Sequence, residues 1–80
     1  MKTMTCRQLG GGCDLEFKGE DFDTIAMQSK SHGAEMISRK DRDHLEAMQN
    51  LQNQLKSPKD WSDWYEGKRK EFNEILDIGL

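Results

Sequence analysis

The chain has 80 residues, 34% of them apolar and 34% charged, with a formal charge of −3. That length supports one small core, and the composition is that of a folded, helix-rich domain rather than a disordered segment. The acidic balance argues against non-specific nucleic-acid binding, which needs a concentrated basic patch facing phosphates.

Residues 3–18 carry the period-two pattern of a half-buried β-hairpin, with Gly10-Gly11-Gly12 as its turn. Met4, Cys6, Cys13, Leu15 and Phe17 are expected on one face, so both thiols look inward. After Gly19 the period lengthens to that of a helix over about 21–36, capped by Glu20 or Asp21. Its buried stripe is Phe22, Ile25, Ala26, Ser29, Gly33 and Met36, with His32 at the edge. Gly33 marks either a close approach to the hairpin or an early helix end.

A second helix is expected over about 39–56, capped between Ser38 and Asp41. Its core face is Leu45, Met48, Leu51 and Leu55, and His44 falls within it. The third, over about 58–76, opens on the clearest signal in the chain: Ser57 as cap, Pro58 in the first turn and Asp60 against the helix dipole. Trp61, Trp64, Tyr65, Phe72, Ile75 and Leu76 then form a stripe, along which Lys68 can lay its methylene stem, and fraying is expected from Asp77. The dense basic run Lys68-Arg69-Lys70 lies between Glu66 and Glu71 and reads as a solvated face. The fold class is therefore α+β, a hairpin followed by about three helices on one core, with no linker or repeat that would divide residues 1–80.

No apolar stretch approaches the ~20 residues of a membrane span, and Met1-Lys2-Thr3-Met4 does not lead into the apolar core of a signal peptide. A cytoplasmic location is expected, with no membrane or nucleic-acid partner. In a reducing compartment the two cysteines are free thiols, metal ligands or redox groups.

Residues 1–17, Met-Lys-Thr-Met-Thr-Cys-Arg-Gln-Leu-Gly-Gly-Gly-Cys-Asp-Leu-Glu-Phe, resemble the opening of an uncharacterised family of small, mostly prokaryotic proteins, a domain of unknown function. The likeness continues more loosely through Gly19, Phe22, His32-Gly33, Glu35-Met36, His44-Leu45, Met48, Trp64-Tyr65 and Lys68 to Phe72. It brings no activity, substrate or partner. Shorter relatives pair the two hairpin cysteines with two histidines late in the next helix, which looks like a ββα zinc finger. Here His32 matches the first histidine, and the following turn holds Glu35, Met36 and Ile37 instead of a second.

Zinc favours four tetrahedral Cys and His ligands, and Cys6, Cys13, His32 and His44 are the full supply of both residue types. The Cys-x6-Cys spacing is wider than a usual knuckle, and the two histidines fall on different predicted helices. The plain alternative is two small buried thiols and two hydrogen-bonded histidines. A reversible disulfide makes a third reading, a thiol-based redox sensor. No catalytic constellation or organic cofactor site is legible, so a non-enzymatic binding or regulatory protein is expected, with zinc as the candidate metal. Trp61, Trp64, Tyr65 and Phe72 are the candidate interaction surface, for a protein partner or for self-association.

Overall fold

A computed structural model describes residues 1–75. Strand β1 (Lys2–Thr5) pairs antiparallel with β2 (Glu16–Gly19), and three helices follow: α1 (Phe22–Ser38), α2 (Arg42–Gln54) and α3 (Pro58–Glu74). The register sets Met4 opposite Phe17, and both side chains point into the core. This is the expected α+β order, with helix ends shifted by up to three residues. The end of the third helix at 76 and the fraying expected from Asp77 lie outside the described residues.

The hairpin departs from its expected form between the strands. The last rung is the bond from the Cys6 amide to the Leu15 carbonyl, at 2.8 Å. Residues 6–15 then form a wide loop rather than a glycine turn flanked by long strands. Thr5 and Gln8 tie its start reciprocally: the Gln8 Oε1 accepts from the Thr5 amide and the Thr5 Oγ1 from the Gln8 amide, at 2.7 and 3.1 Å. A short 3-10 turn over Arg7–Leu9 follows and ends at Gly10, whose φ of 88° is a left-handed conformation that glycine adopts without strain. Because the loop is not a strand, alternation does not govern it, and Leu15 turns out to solvent at 49% exposure instead of joining the inner face.

Each helix start is chemically specified. Asp21 and Asp41 accept from the backbone amides of Thr24 and His44, and Ser57 accepts from Asp60. The Asp60 carboxylate reaches back to the Ser57 amide, which completes a capping box. Helix α1 runs past Gly33, and a Cβ there would meet nothing within 4 Å, so this glycine marks neither a close approach nor an end. The helix stops at a left-handed Lys40, φ 59°, where the amides of Lys40 and Asp41 bond back to the carbonyls of Ile37 and Met36.

The core comprises Met4, Cys6, Leu9, Phe17, Phe22, Ile25 and Phe72. Helix α3 enters it through Phe72, which meets Phe22 edge-on at 5.9 Å. Lys2 fastens the same place, donating to the Phe72 carbonyl at 3.2 Å with its ammonium over the Phe72 ring. Phe72 is therefore a core residue and drops out of the candidate interaction surface. Helix α2 departs most from expectation: Leu45 and Met48 are 41% and 42% exposed, Leu51 and Leu55 are half-buried, and His44 is its one buried residue. This helix is held at its first turn, and the rest of its apolar face has little to lie against.

Replacing Ser57 with alanine removes the acceptor for the Asp60 amide and should lower unfolding free energy by about 1 kcal/mol, read from the denaturant midpoint at unchanged slope. A midpoint equal to that of the parent chain would show that the box adds nothing to α3.

Candidate metal centre

Four side chains from three parts of the chain converge where the loop, α1 and α2 meet. Cys6 stands at the exit of β1, Cys13 in the loop, His32 in the middle of α1 and His44 in the first turn of α2. Their ligand atoms all lie within 4.8 Å of one another. The Cys6 Sγ is 3.5 Å from the His44 Nε2, and the Cys13 Sγ is 3.3 Å from the His32 Nε2. The two imidazole rings meet edge-on at 5.1 Å, and His32 also leans on Phe17. Cys6 and His44 are buried, whereas Cys13 and His32 are half-buried. All four expected ligands are thus brought together.

The backbone makes this convergence physical. The Cys6 carbonyl accepts from the amides of both Leu9 and Gly11, which curls the loop around the Cys6 sulfur. A Cβ at Gly11 would sit 2.1 Å from that sulfur. A Cβ at Gly12 would be 2.6 Å from the Asp43 carbonyl and 2.8 Å from the His44 amide nitrogen. Such distances are forbidden, so glycine at 12 is what allows the loop to touch the first turn of α2 and bring His44 within reach.

A further residue completes the site. The Asp41 carboxylate caps α2 and also lies 2.5 Å from the His44 Nδ1. A carboxylate can only accept, so Nδ1 is the donor, and the neutral imidazole held this way has its Nε2 lone pair on the side of the centre. The hydrogen bonds from the His44 side chain and amide hold the Asp41 carboxyl below its ordinary range. Burial pushes the Cys6 thiol up, opposed by the backbone N–H groups of Cys13 and Gly12, which favour the thiolate. The sequence pointed to the four candidate ligands, and to Asp41 only as a helix cap and Gly11 and Gly12 only as turn residues; the available signal for the second role of Asp41 was an Asp three residues before a His at a helix start.

A Cys2His2 set matches the donor chemistry of zinc. Zinc–sulfur and zinc–nitrogen bonds of about 2.3 and 2.05 Å at tetrahedral angles imply a sulfur–nitrogen separation of about 3.5 Å. The two Cys–His pairs have about that separation, and the remaining edges, at most 4.8 Å, compare with tetrahedral values of about 3.4–3.8 Å, so closure on a metal would draw the four atoms inward. No buried side-chain polar atom among the described residues is left without a hydrogen-bond partner.

Of the other candidates, Trp61 is 40% exposed, and Trp64 and Tyr65 are half-buried, Trp64 packing over Gly10 and Tyr65 against Phe22. No helix among the described residues is long and apolar enough to cross a membrane. Comparison with protein families, curated proteins and solved structures gave no match.

Gly12→Ala should cost about 1–3 kcal/mol in unfolding free energy, because backbone rather than a flexible side chain occupies the space a methyl group would take. Gly67→Ala, where nothing lies within 4 Å, is the control and should not destabilise. Equal effects at the two positions would refute the role given to Gly12.

Proposed function

We propose that this protein is a small, non-enzymatic binding module, organised around a structural zinc ion and acting through protein contacts. The observation that carries the reading is the meeting of Cys6, Cys13, His32 and His44 within 4.8 Å. A bound zinc ion would withdraw the thiol protons and tie the hairpin loop to both α1 and α2. Four protein ligands fill its coordination sphere and leave no position for substrate, which suits a structural role better than a catalytic one. Exposed apolar side chains such as Leu45 on α2 and Trp61 on α3 support contact with a partner.

Native mass spectrometry of untagged protein purified without chelator should find one zinc per chain, and chelator should lower the melting temperature substantially. A chain that purifies without metal and ignores both zinc and chelator would remove the proposal. The thiol-based redox sensor is favoured by the same closeness of the two sulfurs. In that case hydrogen peroxide would be reduced to two waters as the thiols lose two protons and two electrons to a disulfide, and reductant would reverse the loss of mass.

Asp41→Asn keeps a side-chain oxygen for the cap and removes the charge that orients His44. It should weaken zinc binding by about 10–100-fold in chelator competition. Unchanged zinc affinity would show that His44 is oriented without it.

A further inference from the structure

Beside the metal centre, a half-open cleft of about 370 Å³ lies between α1, α2 and the start of α3. Cys6 and His44 form part of its floor; Leu9, Ile37, Met48, Leu51 and Trp61 supply apolar walls. Its size falls in the range of small-ligand sites.

Three features indicate what it takes. First, the chain carries 15 Asp and Glu residues, and none of those among the described residues lines this cleft. Second, Lys30 is the one Lys or Arg among the lining residues, and it forms no ion pair among the described residues. Third, the wall includes Gly33, a glycine inside a helix of 17 residues that no neighbouring atom requires. Glycine costs a helix interior about 1 kcal/mol relative to alanine, and what it secures here is open space over the cleft wall.

From these features we infer that the cleft binds a small amphipathic monocarboxylate. An apolar body of about the size of a medium-chain fatty acid lies against Ile37, Met48, Leu51 and Trp61, and the carboxylate meets the Lys30 ammonium. This goes beyond the metal reading: Cys6 and His44 line the same cleft, but the residues given to the ligand, Lys30, Ile37, Met48, Leu51 and Trp61, are outside the metal cluster.

The test is an NMR titration of the full chain, as purified and with its zinc content measured, using octanoate, with octan-1-ol and octylamine as comparison probes. Octanoate should give saturable shifts concentrated at Lys30, Gly33, Met48, Leu51 and the Trp61 indole. Lys30→Gln should weaken octanoate by about fivefold while leaving octan-1-ol unchanged, the effect of one exposed charge pair. Gly33→Leu should fill the space, keep or raise the melting temperature and reduce binding of both probes. The inference is overturned by octylamine binding as well as octanoate, by undiminished binding in Gly33→Leu, or by the absence of saturable shifts. It is equally overturned if dilution alone moves the same resonances, because a second copy of the chain would then be what covers the cleft.

Discussion

The approach of the hairpin loop to the first turn of α2 is the contact on which the architecture turns. Helix α2 buries one side chain, His44; it packs on α1 and meets the hairpin loop where Gly12 lies against the Asp43–His44 backbone. Everything distinctive follows from that close approach. It brings the fourth ligand to the other three, aligns Asp41 behind His44, and leaves Met48 and Leu51 standing over a cleft instead of sealed in a core.

Two sources of order act on different parts of the chain. At the β-strand end, packing is conventional: Met4, Phe17, Phe22, Ile25 and Phe72 form an apolar cluster whose burial supplies the usual driving force. At the other end, α2 contributes one buried side chain, His44, with the polar contacts of Cys6 and Asp41 around it and the half-buried Leu51 near Gly10. Were the Cys2His2 cluster there to hold a metal ion, ligation would supply what the core does not supply by burial, a common solution for domains of this size.

Much of this was legible in the residues, and the failures have identifiable causes. The start of α3 could be read because Ser57, Pro58 and Asp60 each act within a few residues of themselves. His44 could be placed inward from helical periodicity, and two cysteines and two histidines in a small fold left convergence open, with unliganded thiols and hydrogen-bonded histidines as the plainer expectation. What escaped was tertiary. The outward turn of Leu15 depends on a loop that abandons strand geometry. The end of α1 falls at Lys40 rather than at a glycine, in a conformation that lysine's own preferences disfavour. The exposure of Leu45 and Met48 cannot be derived from α2 alone, since its pattern specifies an apolar face and leaves open what meets it.

The two cysteine–histidine pairs are nested in the chain: Cys13 and His32 are 19 residues apart, and Cys6 and His44, 38 apart, enclose them. Loop-closure entropy grows with the logarithm of loop length, so bringing the outer pair together costs about 0.6 kcal/mol more than the inner. The strand ladder has already brought the segments that bear the two thiols together, and His32 lies on the helix that follows directly. Chain connectivity thus makes the hairpin with α1 the less costly closure and the arm bearing His44 the more costly one. During synthesis, when the N-terminal segments emerge first, Cys6, Cys13 and His32 would be available to one another before His44.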